Sequence, residues 1–349
     1  MRTTHYRNLD ILRAFAVALV FVNHIGGALV PLRSPAYSAL EAVGRFGVIL
    51  FFFHTSFVLM QSIEAMGAGA PWWIRRFYIR RAFRIYPLSI LTVIAAAVTR
   101  IPIAPHLPPA QLSAANVAAN LLLLINVVGG GPMISPLWSL PVEIEMYCIL
   151  PFLYLLFHSA RWKQAAWCIV GVLFLQAAVP ALTGYQFGRW SIFAFTGCFA
   201  AGCLSYRISR SMNRNWPATA WLICIAAVTA LGVGYSQTIA AEWTACFILG
   251  LVFPKVRDMR ASWFTKTGEL VARYSYGIYL SHMFAIWLSF DLWANILPYN
   301  VAKIAAAMAM TAVISVLTYH IVEEPLIQFG KRLSNRIGKS AGLAVAAGR

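Results

Sequence analysis

The chain has 349 residues, 60% hydrophobic and only 11% charged, and its 28 Lys and Arg against 11 Asp and Glu give a net charge of +17. A soluble domain carries about 25% charged residues and fewer than half apolar ones, so this composition excludes an ordinary soluble protein, a disordered chain and a nucleic-acid-binding domain. A basic excess on a chain of mean hydropathy +0.70 fits the cytoplasmic loops of a polytopic membrane protein.

Apolar runs appear near residues 9–30, 44–63, 85–99, 114–128, 142–157, 165–182, 190–206, 218–234, 237–253, 274–293 and 301–322. They read as helices, because backbone in lipid must satisfy its own hydrogen bonds. The sequence therefore predicts an all-α polytopic integral membrane protein. No strand-period alternation, strong internal repeat or linker interrupts it. A single membrane domain is expected over 1–330, with a short basic cytoplasmic tail over 331–349. The first run is too long for a signal-peptide core and is expected to stay attached.

Lys and Arg cluster before the first run (Arg2, Arg7), between the second and third (Arg75, Arg76, Arg80, Arg81, Arg84) and after the fifth (Arg161, Lys163). They cluster again after the seventh (Arg207, Arg210, Arg214), after the ninth (Lys255, Arg257, Arg260, Lys266, Arg273) and in the tail. The opposite loops are read as holding only Arg33, Arg45, Arg100 and Arg189. This asymmetry puts both termini in the cytoplasm. An even number of crossings follows, about ten, so one run must fail to cross. The run at 114–128 is short, about 22 Å as a helix against a hydrocarbon core of about 30 Å, and Gly129-Gly130-Gly131-Pro132 follows it. That region is expected to be re-entrant. Six cysteines, at 148, 168, 198, 203, 224 and 246, lie in apolar segments without a CxxC pair. They read as small buried hydrophobes, with no metal site implied.

Ionisable residues inside spans are costly and are functional candidates. The first run holds Asp10, Arg13 and His24. Arg13 and His24 share a helix face, separated by about 20° and about 16 Å along the axis, and Asp10 lies one turn before Arg13. Snorkelling of Arg13 and packing of His24 are the competing readings. In the fifth run, Glu143 and Glu145 point to nearly opposite faces, whereas Glu143 and Tyr147 are i,i+4 neighbours able to share a hydrogen bond. A buried Glu there can serve as general acid or base, or tie two helices together. Arg76, Arg80 and Arg84 recur at i,i+4, with Arg81 alongside. A guanidinium row suits phosphate, and also simple anchoring on anionic lipid.

Several segments together resemble the membrane acyltransferase-3 family, which includes bacterial O-antigen and exopolysaccharide O-acetyltransferases. They are Leu9-Asp10-Ile11-Leu12-Arg13-Ala14 with His24; Arg80-Arg81-Ala82-Phe83-Arg84-Ile85-Tyr86-Pro87; Trp138-Ser139-Leu140 with Glu143, Tyr147 and Pro151; Tyr274-Ser275-Tyr276-Gly277-Ile278-Tyr279-Leu280 with His282; and Val322-Glu323-Glu324-Pro325. The second span departs from the family's FFxLSGF pattern, with Ser56 at the Gly position and an unusual His54. Pro141 is a further departure that can distort the start of its helix.

The resemblance implies transfer of an acyl group, usually acetyl from cytoplasmic acetyl-CoA as co-substrate, to a hydroxyl of a surface carbohydrate or lipid-linked saccharide. No bound cofactor is implied. The protein would then sit in the cytoplasmic (inner) membrane, in contact with membrane lipid. It makes His24 the leading catalytic residue, with Glu143 as partner and Arg13 as a required charge. It places Arg81 and Arg84 on the donor side, where the row with Arg76 and Arg80, and Tyr86 beside it, would supply partners for the CoA phosphates, and leaves Asp10, Trp138, Ser139, Tyr147 and His282 as further candidates. The competing function is a transporter or flippase for a glycolipid or anionic substrate. Transporters commonly show paired broken helices, and the interruption at 129–136 has no counterpart in the second half.

Overall fold

A computed structural model describes residues 5–67, 72–159, 162–183, 191–235 and 238–347, with side chains at all of these but 165, 168, 177, 180, 181 and 338–347. Arg2, Arg161, Arg189 and Arg349 of the charge pattern, and the side chains of Cys168 and Lys339, lie outside this description. In chain order the helices are α1 (Arg7–Gly27), α2 (Pro35–Ala65), α3 (Trp73–Thr99), α4 (Ala114–Leu121), α5 (Ile125–Val128), α6 (Ser139–His158) and α7 (Trp162–Thr183). They continue as α8 (Ile192–Ser209), α9 (Thr219–Gly234), α10 (Ile239–Val252), α11 (Trp263–Trp287), α12 (Asn300–Thr318) and α13 (Glu324–Ala347). No strand occurs among the described residues.

Among the described residues, six helical stretches are long and apolar enough to cross a membrane: Arg7–Gly27, Pro35–Ala65, Trp73–Thr99, Ser135–His158, Ile192–Ser209 and Asn300–Ile337. α9 is apolar but shorter. The chain divides into two compact units. One comprises residues 61–141 and 276–349, the other residues 4–60 and 142–275.

In the unit of 4–60 and 142–275, small residues let helices approach closely. A Cβ at Gly47 would stand 2.7 Å from the Ala16 carbonyl oxygen, and one at Gly202 would stand 1.9 Å from Ser56 Oγ. Ser56 is fully buried, so the position that departs from the family pattern still demands a small residue. Phe57, Tyr206, Phe253, Trp221 and Tyr6 form an edge-to-face aromatic cluster with Arg214 lying 4.1 Å above the Tyr6 ring. The start of α1 is capped from a distance. Asp258 accepts from the Arg7 and Asn8 amides at 3.2 and 3.0 Å, taking two of the orphan donors of the first turn.

Arg45 corrects the sequence reading. It is not a loop charge but lies within α2, 7% exposed, and forms a two-pronged ion pair with Glu242 of α10, itself 3% exposed. The Arg45 guanidinium also lies 5.1 Å above the Phe195 ring. The helix begins ten residues before Arg45, at Pro35, so the charge falls inside it rather than in the connection before it. Cys148 likewise differs from expectation: it is exposed, whereas Cys198, Cys203, Cys224 and Cys246 are buried.

In the unit of 61–141 and 276–349, α3 extends from Trp73 through the arginine row to Thr99, so the row forms the first turns of a long helix rather than a connector. α13 packs along it, with Phe83 against Gly330 and Phe329. The polar tail is therefore helical to Ala347. α12 runs into α13 through one π-helical turn, Tyr319–Glu323. The Gly/Pro-rich segment after α5 is irregular, and asparagines satisfy its backbone. Asn120 donates to the Gly131 carbonyl at 3.0 Å and accepts from the Met133 amide at 3.0 Å, while Asn116 accepts from the Gly131 amide at 3.2 Å. Pro141 falls in the first turn of α6, after a short 3-10 turn over Ser135–Trp138, where a missing N–H costs no helical bond.

Candidate active site

The sequence-predicted site residues divide between the two units. Asp10, Arg13, His24, Glu143 and Tyr147 belong to that of residues 4–60 and 142–275, and Arg76, Arg80, Arg81, Arg84, Tyr86, Trp138, Ser139 and His282 to the other.

His24 is the buried histidine of α1, 8% exposed, three residues before the helix end. Its Nδ1 lies 3.0 Å from the Val20 carbonyl oxygen. A carbonyl only accepts, so Nδ1 carries the proton, and in the neutral ring the basic lone pair is on Nε2. The bond to the preceding helical turn also fixes the ring. Eleven residues earlier on the same face stands Arg13, half-buried. Its charge reaches His54 of α2, which is 4% exposed. The unusual histidine of the second span thus belongs to the surroundings of Arg13. Asp10 pairs with His5 Nε2 at 2.7 Å and also lies within reach of the Arg13 charge. On α6, Tyr147 donates to Glu143 Oε1 at 2.5 Å, the i,i+4 pairing expected from the spacing. A carboxylate held by a phenol keeps its orientation, with one oxygen committed to a known donor.

The other unit joins four motif segments that are far apart in sequence. Arg84 donates to Glu323 at 2.5 Å, and its guanidinium lies 5.3 Å above the Tyr276 ring. Tyr276 donates in turn to the Ile85 carbonyl at 2.7 Å. Tyr279 donates to the Pro136 carbonyl at 2.9 Å and lies 2.7 Å from Ser139 Oγ. Ser139 Oγ also lies 3.3 Å from the Pro136 carbonyl oxygen, so the two hydroxyls share that acceptor and Ser139 clamps Trp138–Ser139 to α11. His282 is 1% exposed, with Nδ1 2.9 Å from the Ile278 carbonyl oxygen, the same tautomer lock as at His24. Tyr86 donates to the Leu122 carbonyl at 3.2 Å.

The arginine row is not uniform. Arg84 is charge-paired with Glu323, whose side chain is only 1% exposed. Arg76 and Arg80 have neutral partners, namely the Met66 carbonyl, Ser334 and Asn335. Neutral acceptors orient a guanidinium without cancelling its charge. Ser334, Asn335, the buried Arg45–Glu242 pair and the pairing of the motif residue Glu323 with Arg84 were not picked out by sequence reasoning. For Arg45 and Glu242 a signal existed, since each is a lone charge in an apolar run and the rule that selected Glu143 selects them too.

A family model described as an acyltransferase domain matches residues 6–320. Acyltransferase MdmB of Streptomyces mycarofaciens is 24% identical, over 95% of this chain and 94% of its own length. BcsY of Komagataeibacter xylinus, whose name describes a membrane-bound transacylase, is 24% identical over 98% of this chain and 88% of its own. Nodulation protein 10 of Rhizobium leguminosarum bv. viciae is 21% identical over 95% and 96%. No solved structure matches the chain. With a family model covering nearly the whole chain, and with spanning helices that carry a locked histidine and a guanidinium row, the protein belongs to the acyltransferase-3 family of multi-pass membrane acyltransferases.

Proposed function

We propose that the protein moves an acyl group, acetyl in the simplest case, from cytoplasmic acyl-CoA to a hydroxyl of a cell-surface carbohydrate or lipid-linked saccharide. The observation that carries this reading is His24, a buried ring with Nδ1 bonded to Val20 and its basic lone pair on Nε2. A sugar hydroxyl is a poor nucleophile at neutral pH. In the proposed reaction His24 Nε2 takes the hydroxyl proton as the oxygen attacks the thioester carbonyl, and the imidazolium returns that proton to the departing thiolate. If His24 instead accepts the acyl group first, Nε2 is the attacking atom and the sugar hydroxyl displaces it in a second step. Glu143, oriented by Tyr147, is assigned the role of balancing the imidazolium charge. Arg13 contributes a fixed positive charge deeper along α1. Arg76, Arg80 and Arg81 are assigned to the CoA phosphates, with Arg84 holding the row in place through Glu323.

The reading includes ten crossings by a single membrane domain over 1–330, both termini in the cytoplasm, and a re-entrant segment within 100–141. Asparagine-satisfied backbone around Gly131–Met133 supports re-entrance, because irregular chain at membrane depth requires such partners. The contacts of Arg80 with Ser334 and Asn335 support a common side for the arginine row and the tail. A cysteine replacing exposed Arg336 in a Cys-free background is expected to react only with a membrane-permeant thiol reagent. Labelling of intact cells by an impermeant reagent would overturn the orientation.

Reaction and acceptor are tested together by mass spectrometry of surface polysaccharide and glycolipid with and without the protein. The expected difference is an acyl group in place of a hydroxyl hydrogen, and label from isotopic acetyl-CoA should appear in it. Identical acyl content in the two strains would overturn the proposal.

A further inference from the structure

Resting on the assignment of the arginine row to the donor, we infer that α13 forms the second half of that phosphate site. Ser334 and Asn335 act as positioning residues that hold Arg80 and Arg76 out as charged, ligand-ready groups, and Lys331 adds a further cation. The family motif at Glu323–Pro325 precedes this stretch, and the family model ends at residue 320.

The two helices run antiparallel in matched steps. Arg84 meets Glu323, Phe83 meets Gly330, Arg80 meets Ser334 and Asn335, and Arg76 meets Asn335. At the end holding Glu323 the contact is a neutralised ion pair, and at the other end it is neutral. Ser334 is completely buried, yet its hydroxyl oxygen accepts from Arg80 Nε at 3.0 Å. Asn335 Oδ1 accepts from Arg80 at 2.9 Å and from Arg76 at 3.4 Å. These bonds use two of the five N–H donors of Arg80, so the fork keeps donors for a bidentate phosphate contact. A design meant only to glue α3 to α13 would do better with a carboxylate, as Glu323 does for Arg84. Serine and asparagine orient the guanidinium and leave its full charge for a ligand.

That charge is concentrated. The charges of Arg76 and Arg81 both reach Arg80. On α13, Lys331 lies one turn before Asn335, about 40° away around the helix, and is exposed. The three guanidinium groups repel one another until a polyanion binds. The ligand class is a phosphate cluster such as the 3′-phosphorylated nucleoside diphosphate of CoA. An anionic lipid headgroup shares that chemistry.

The test uses full-length protein in zwitterionic nanodiscs, with CoA binding followed by calorimetry and unfolding followed by thermal melt. Arg80→Ala is the reference and is expected to weaken CoA at least tenfold. The Ser334→Ala, Asn335→Leu double variant should weaken it about fivefold to tenfold, and Lys331→Ala about threefold. Asn335→Asp separates positioning from mere support. It strengthens the helix pair and should raise the melting temperature, yet it cancels the Arg80 charge and should lower CoA affinity at least as far as the double variant. If Arg80→Ala binds CoA like the parent, the donor assignment itself fails. If Arg80→Ala weakens CoA while Asn335→Asp and Lys331→Ala do not, the donor assignment stands and α13 is removed from the site. A parallel series in nanodiscs containing phosphatidylglycerol distinguishes the two phosphate sources. Effects confined to lipid retention, with CoA affinity unchanged, would overturn the inference in favour of a lipid headgroup.

Discussion

His24→Gln is expected to abolish acyl transfer while leaving a folded, membrane-inserted protein. Glutamine keeps much of the volume, and its amide nitrogen can still donate to the Val20 carbonyl that now holds Nδ1. What it lacks is a basic nitrogen. If His24 only packed, the amide would preserve most activity. As proton or acyl carrier it leaves nothing for glutamine to replace, and loss of a general base costs ~10²–10⁴ in rate. The decisive measurement is transfer from labelled acetyl-CoA in membranes at matched protein levels. Activity near that of the parent would remove His24 from the mechanism and make His282, which has the same tautomer lock, the next residue to test. Glu143→Gln should lose less, because an amide oxygen can still accept from Tyr147.

The largest expected effect on stability lies at Arg45 and Glu242. Glu242→Leu leaves a guanidinium buried beside Phe195 with no counter-charge and should destabilise the protein by about 3–5 kcal/mol, enough to remove most of it from membranes. Arg45→Leu strands the carboxylate and should be equally harmful. The double replacement Arg45→Met, Glu242→Leu removes both charges at similar volume and should recover much of the lost stability, because desolvating the pair offsets most of its attraction. Thermal-shift measurements on detergent-extracted protein give the cycle. A double variant as unstable as the sum of the single variants would show no coupling between the two charges and would overturn this account of the pair.

The sequence carried the helices where apolar runs are long and clean, as in α1, α6 and α8, because one dimension suffices to see a span. It also carried the i,i+4 contact of Glu143 with Tyr147, which is local. It did not carry partnerships across the chain. Arg45 and Glu242 are 197 residues apart, and nothing near either names the other. The arginine row was visible as a row, but not its division into a paired and a charge-preserving end, since that depends on which α13 residue meets each guanidinium. Ser334 and Asn335 stood in a polar tail whose composition suggests nothing beyond solubility. His54 was flagged only as a departure, and its proximity to the Arg13 charge needed the two helices side by side.

The π-helical turn at Tyr319–Glu323 gives this stretch a tolerance of length that no composition rule would detect. A π turn holds one residue more than the α-helical geometry around it. Dropping Ile321, which is 70% exposed and touches little, would let the backbone relax into plain α-helix. The wide turn already absorbs that one residue, so the helix beyond it would keep nearly its register and Ser334 would stay on the α3 face. One residue lost from the regular helix beyond it, by contrast, would turn everything downstream by about 100° and swing Ser334 off that face. That makes residue spacing between Glu324 and Ser334, rather than between Thr318 and Glu324, the quantity to compare when related chains are aligned.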